Sequence, residues 1–327
     1  MLIGCSSSQD EPKAEKPPEL KEISLQLLWV TQAQFAGYYV ALEKGWYRQE
    51  GLDVHIYPGG PDVIPVDLVA AGTRDFGTSF LADLAVAIEK GIPVISIGQI
   101  QQDSGLRLIT KKDAGILGPK DFINKKVGVW LGSWEAQFNA LMAQQGIGLD
   151  KLDVISQGWS MQPFLEDRLD VASAMIYNEY HKVLETGIKP SDLVVIDYAD
   201  YGLDFPGDVL MTSVKLVKEN PDLCTRMVRA SLRGWRYALD HQTDAVDIVL
   251  KYDSAKVQSR DHQLNMMMEI SKLIKAQNIN IGQIEPARLN HMISHLRKYG
   301  VLKSDLNPDR IYTDRFIKPV ALKAKQE

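Results

Sequence analysis

Cysteine is nearly absent: only Cys5 and Cys224 occur in 327 residues, and their settings are too unlike to suggest a disulfide. Cys224 falls in a helical pattern from Pro221 to His241, where a buried, inert thiol is expected. No apolar run reaches the roughly 18 residues needed to span a bilayer. The net charge of −5 and the absence of any basic cluster give no electrostatic reason to expect nucleic acid as a partner. Of six histidines, only His291 and His295 share a helix face. Met292 stands where the zinc-protease pattern needs Glu, and Arg288, Arg297 and Lys298 nearby would repel a dication. There is no P-loop, no dinucleotide glycine fingerprint and no nucleophile elbow. No catalytic group, metal or cofactor is assigned on these grounds.

A hydrophobic content of 45 % and a charged content of 24 % are those of an ordinary globular protein, with length for one large or two medium domains. The most informative stretch lies near the front. A short alternating strand, Ile23 to Leu27, leads into Trp29-Val-Thr-Gln-Ala-Gln-Phe-Ala-Gly-Tyr-Tyr-Val-Ala41. From Phe35 to Lys44 the apolar spacing (Phe35, Tyr38, Tyr39, Leu42) predicts a helix that stops at Gly45, and Leu52 to Tyr57 reads as a second strand. In open parallel sheets ligands bind at the carboxyl ends of strands. Trp29, Gln32, Gln34 and Tyr38 therefore stand where a planar polar molecule would be held.

This segment, with Lys44-Gly-Trp-Tyr-Arg-Gln-Glu-Gly-Leu-Asp-Val54, Gly59-Gly-Pro61 and Asp75-Phe-Gly77, resembles the periplasmic substrate-binding proteins of ABC importers. The branch it is most similar to binds pyrimidine precursors of thiamine and is related to the alkanesulfonate- and riboflavin-binding proteins. The resemblance runs from about Ile23 to the C-terminus. It implies a two-lobe α/β fold of the type II periplasmic-binding class, with the ligand cleft between lobes that the chain crosses twice. The expected boundaries are 21–113 plus 212–327 for lobe 1 and 114–211 for lobe 2. It further implies a small heteroaromatic ligand, a membrane permease as partner and a monomer that performs no chemistry. A thiamine pyrimidine precursor comes first, with riboflavin or an alkanesulfonate behind it. A biosynthetic enzyme of the same fold is the rival, but the relatives of that enzyme carry a cysteine-rich, iron-associated motif that this chain lacks.

Independently of the resemblance, strand and helix patterns alternate from Ile23 to about Thr110, and a second α/β block opens near Gly118. Val209 to Ser213 is apolar and reads as a strand, and the resemblance implies that it returns to the first block. In the second block, Trp130-Leu-Gly-Ser-Trp-Glu135 runs from a strand into a tight turn and a helix, with Ser133 as the expected N-cap. Trp130, Ser133 and Trp134 are ligand candidates; the same features fit an ordinary capped helix with packing tryptophans. Tyr177-Asn-Glu179 also follows a strand and opens a helix. An ionised Glu179 only accepts, which suits an aminopyrimidine edge, while Asn178, both donor and acceptor, suits a lactam or uracil-like edge; the alternative is a solvated first turn. Ser79, after the third strand of the first block, is a further cleft position.

Leu2-Ile-Gly-Cys5 resembles the lipobox of bacterial lipoproteins, in which the cysteine is acylated. The polar, Pro-rich run up to Pro18 that follows has the composition of a flexible tether, so residues 1–20 are expected to anchor the protein at the periplasmic or cell surface. Only four residues precede Cys5, too few for a signal peptide, so a leader is expected upstream of Met1.

Overall fold

Ile23 and Leu25 alternate with polar residues, and that period of two buries both side chains on one face of the first strand, β1 (Lys21–Gln26). The computed structural model describes residues 20–131, 134–274 and 279–317. After β1 a single 3-10 turn at Ala33–Phe35 leads into α1 (Ala36–Glu43). The predicted stop at Gly45 is there, with φ at 70°. The chain continues through α2 (Trp46–Gln49), β2 (Leu52–Tyr57), α3 (Pro65–Ala70), β3 (Phe76–Phe80), α4 (Leu81–Glu89) and β4 (Val94–Gln99). It then crosses into a second unit of β5 (Leu106–Lys111), β6 (Lys126–Val129), α5 (Glu135–Gln144), β7 (Asp153–Ser156), α6 (Gln162–Leu165), β8 (Val171–Met175), α7 (Glu179–Glu185) and β9 (Leu193–Asp197). It returns in β10 (Asp208–Ser213) and ends in helices α8 (Val214–Glu219), α9 (Pro221–Asp240), α10 (Gln242–Tyr252), α11 (Arg260–Ile274) and α12 (Pro286–Lys298). Among the described residues no helix is long and apolar enough to cross a membrane.

Two five-stranded sheets result, ordered β2-β1-β3-β10-β4 and β7-β6-β8-β5-β9. In each sheet the antiparallel strand is the one that has just crossed: β10 lies between β3 and β4, and β5 between β8 and β9. The strand at Leu106–Lys111 is where expected, but its side-chain pattern says nothing about its partners. It pairs in the second sheet, so the first crossing falls between Gln99 and Leu106 rather than at 113/114. The return falls between Asp197 and Asp208, with all of β10 already in the first sheet, rather than at 211/212. The crossing segments hold each other: Gly207 N–H donates to Gln101 O at 3.0 Å and Ser104 N–H to Phe205 O at 2.9 Å. Arg288 of α12 then clamps both, donating from Nη2 to Gln102 O (2.9 Å), Asp103 Oδ1 (2.7 Å) and Asp204 O (3.0 Å).

The helix α9 buries Leu223, Met227, Val228, Trp235 and Cys224 against lobe 1, and burial pushes the Cys224 thiol up to about 12. Its contact with α1 requires glycine twice. A Cβ on Gly234 would run into the carbonyl oxygen of Gly37, and one on Gly37 into the indole of Trp235. Because the first obstacle is backbone, it cannot rotate away. Gly234→Ala is expected to lower stability by about 1–3 kcal/mol, the usual penalty of overpacking. An unchanged denaturant midpoint for the variant would show that the helices separate freely.

Candidate ligand site between the lobes

Trp29 leaves β1 of lobe 1, while Trp130 and Trp134 flank the β6–α5 connection of lobe 2. The three indoles meet edge to face. Their centroids lie 5.9 Å apart for Trp29–Trp130, 5.3 Å for Trp29–Trp134 and 5.5 Å for Trp130–Trp134, with interplanar angles of 65°, 84° and 60°. Phe80 at the end of β3 adds a fourth ring 5.8 Å from Trp134. The indole N–H of Trp130 donates to Gly158 O at 3.1 Å, which fixes that ring. Beneath the tryptophans, Gln32, Gln34, Met175, Tyr177, Asn178 and Glu179 complete the wall of a void of about 10 Å³, room for about one water molecule. A ring-sized molecule would fit here only if the indoles parted.

Eight of the eleven candidate ligand residues thus line one cavity: Trp29, Gln32, Gln34, Trp130, Trp134, Tyr177, Asn178 and Glu179. Tyr38 packs edge to face on Trp235 at 5.7 Å and is not on this wall. Ser79 lines a different cavity of about 230 Å³ between α3, α4 and the first turn of α5. Ser133 and Cys5 lie outside the described residues.

Polar groups divide into two chains. On the lobe 2 side Glu179 is 1 % exposed and accepts Met175 N–H at 3.0 Å and Asn178 Nδ2 at 2.6 Å. Burial raises its carboxyl above the ordinary range. Asn178, expected to read a ligand, is engaged at both ends, because its Oδ1 also meets His262 Nε2 at 2.9 Å. His262 belongs to α11, and its Nδ1 meets Glu185 Oε1 at 2.7 Å, so this buried histidine bridges the lobes. A second bridge runs from Ala136 N–H in lobe 2 to Asp83 Oδ1 in lobe 1 at 3.2 Å.

On the lobe 1 side Gln32 Nε2 donates to Gln34 Oε1 at 2.7 Å, and Gln34 Nε2 donates to Asp208 Oδ2 at 2.8 Å. Asp208 opens β10, 174 residues from Gln34, and is 3 % exposed. Sequence reasoning missed Asp208, His262 and Met175. Only an acidic residue at the head of a returning strand hinted at the first of these.

The comparisons with known proteins agree with this architecture. Residues 32–245 match the family described as NMT1/THI5 like. The chain belongs to that family. It is 25 % identical to the riboflavin-binding protein RibY of Chloroflexus aurantiacus, over 97 % of this chain and 94 % of the relative. It is 23 % identical to the formylaminopyrimidine-binding protein of Halalkalibacterium halodurans, over 76 % and 74 %. A 4-amino-5-hydroxymethyl-2-methylpyrimidine phosphate synthase of Legionella pneumophila is 26 % identical over 69 % and 72 %. Among solved structures, the periplasmic aliphatic sulphonate binding protein SsuA of Escherichia coli superposes with a TM-score of 0.64 at 12 % identity, covering 90 % of this chain and 92 % of that one. The family fold is therefore the two-lobe fold of a periplasmic binding protein.

Burial pushes the carboxyl of Asp208 up to about 7, with only the Gln34 bond opposing it. Between the ordinary carboxylate range and that value the folded chain holds a proton that the unfolded chain has released. Stability attributable to Asp208 is therefore present at low pH and falls as pH rises through that window, by up to about 1.4 kcal/mol per unit. Asp208→Asn should flatten the stability profile between about pH 4 and 7. Asp83, pushed up to about 8 by burial, has the same sign and leaves a residual slope. Superimposable profiles for wild type and variant, from chemical denaturation across this range, would contradict the assignment.

Proposed function

We propose that this protein is the solute-binding component of an ABC importer and captures a small, flat heteroaromatic compound by lobe closure. The observation that carries the reading is the indole cluster formed jointly by both lobes over a buried carboxyl, Glu179. Aromatic faces suit a planar ring, and a carboxylate suits N–H donors on its edge. An aminopyrimidine of the thiamine precursor class fits this best. Riboflavin, bound by one relative according to its name, is the second candidate. An alkanesulfonate fits less well, because the cavity wall carries Glu179 and no Lys, Arg or His among the described residues.

No step in this function needs covalent chemistry; the closed form would be what the permease recognises. Catalysis is the rival reading, supported by the relative named as a synthase. We place the protein at the periplasmic or cell surface as a monomer, tethered through acylated Cys5. The match to a family with periplasmic binding proteins supports the compartment, and the Cys5 motif supports the anchor.

Isothermal calorimetry with an aminopyrimidine thiamine precursor, riboflavin and hexanesulfonate tests the reading. Trp29→Ala and Trp134→Ala should each weaken binding of the preferred heterocycle about tenfold or more, since each removes ring contact and area. Glu179→Gln should cost about 1.5–3 kcal/mol for a ligand that donates to it. Tighter binding of hexanesulfonate than of either heterocycle, or full affinity in both tryptophan variants, would overturn the proposal.

A further inference from the structure

The two glutamines on the lobe 1 wall do not have free choice of orientation. A side-chain amide can present either its oxygen or its nitrogen, and a pair of them in isolation could point either way. Here the pair ends on Asp208. Its Oδ2 accepts Gln34 Nε2 at 2.8 Å, and once the carboxyl has lost its proton it offers no donor, so Gln34 keeps Nε2 turned toward it. Gln34 Oε1 then faces Gln32 and takes its Nε2 at 2.7 Å. Gln32 Oε1 is left over. It is buried, without a hydrogen-bond partner among the described residues, and Gln32 lines the cavity. The residue is 1 % exposed, so an unpaired oxygen there carries a desolvation penalty that a ligand N–H would remove.

We infer that Asp208 is a specificity-determining positioning residue: through Gln34 and Gln32 it fixes the cleft as an acceptor and so selects ligands whose edge donates N–H. This rests on the reading of the cleft as a solute site and deepens it, by naming the hydrogen-bond polarity that the solute must carry. The same polarity recurs opposite. Glu179 takes the amide N–H₂ of Asn178, and Asn178 Oδ1 is held by His262, so that chain also ends on a carboxyl that accepts. On the cavity wall the buried donors without a partner among the described residues are Trp134 Nε1 and Tyr177 OH, which leaves places for ring nitrogens or a carbonyl elsewhere on the ligand.

The groups that face Asp208 do not compete for this role. Tyr38 of α1 and the Tyr177 side chain are the titratable neighbours, and burial holds both phenols well above their ordinary value, so they stay neutral. No ion pair to Asp208 occurs among the described residues, and its Oδ1 has no hydrogen-bond partner there. The backbone around it is tied down, with Ile100 N–H and Gln101 N–H donating to Asp208 O at 2.9 and 3.1 Å. A substitution confined to the carboxyl therefore changes the polarity of the relay while the strand stays in place.

Replacing the carboxylate by a carboxamide removes the one-way constraint. In Asp208→Asn the new amide can donate to Gln34 Oε1, both glutamines can reverse, and Gln32 Nε2 can face the cavity. The experiment compares two probes of nearly equal shape, 4-amino-5-hydroxymethyl-2-methylpyrimidine and its 4-oxo analogue, whose edges present inverted donor and acceptor patterns. Affinities are measured by calorimetry at about pH 8.5, above the value of about 7 to which burial pushes the Asp208 carboxyl, so that it is ionised. Wild type should prefer the amino compound by about tenfold or more, because the oxo compound sets an acceptor against Gln32 Oε1. Asp208→Asn should bring that ratio to about unity or invert it. Gln34→Met, which cuts the relay without touching the carboxyl, should erase the preference as well, and it carries the test if Asp208→Asn does not fold. A purely structural role would weaken both probes alike and leave the ratio intact in each variant, which would overturn the relay. Equal binding of the two probes to wild type would also overturn it while leaving the solute-binding reading standing. Binding of hexanesulfonate with neither pyrimidine would overturn both.

Discussion

The double crossing of the chain is the constraint on which the rest of the molecule depends. Both crossing strands end inside the sheet of the lobe they enter, β5 between β8 and β9 and β10 between β3 and β4. Neither lobe can leave without breaking ladders on two sides. What remains possible is rotation about two short segments that are bonded to each other and to Arg288. Such a hinge opens and shuts a cleft along one path. It therefore brings the same side chains of the two lobes together at each closure, and a cluster such as Trp29, Trp130 and Trp134 can be shared between them.

Closure has an electrostatic consequence. Asp83, Glu179 and Asp208 are all raised above the ordinary carboxylate range, and in each case burial is the leading cause. Two of them take part in contacts that close the cleft. Asp83 accepts across it from Ala136, and Glu179 belongs to the chain that ends on His262 of the opposite lobe. Burial in a low-dielectric gap disfavours the charged form of each of these carboxyls, so closing the cleft raises their affinity for a proton. The fold is shared with a sulphonate binding protein, but the polarity of this cleft is set by its own side chains.

Much of this was legible in the sequence where the signal is local. Helical spacing ending at Gly45, the strands near Ile23, Leu52 and Leu106, and the aromatic and polar clusters at Trp29, Trp130 and Tyr177 all carry their meaning within a dozen residues. The clusters do meet around one cavity. What escaped depends on distance along the chain. Strand pattern marks Leu106–Lys111 as β but cannot say which sheet receives it. Asp208 and His262 act on residues 174 and 84 positions away, and nothing beside them in sequence announces a partner. Asn178 read as an open donor and acceptor because its histidine was invisible from its neighbours. Tyr38 stands only four residues after Gln34, yet the glycine-lined contact of α1 with α9 places it against Trp235.

Native mass spectrometry of the protein purified from its own host, under conditions that retain bound solute, bears most directly on the account. A cleft walled by indoles and acceptors predicts a co-purified adduct whose mass and ultraviolet spectrum identify a small nitrogen heterocycle with N–H donors, lost from Trp29→Ala and Glu179→Gln protein purified in parallel. A co-purified sulfonate or other non-aromatic anion, retained equally by the variants, would contradict it.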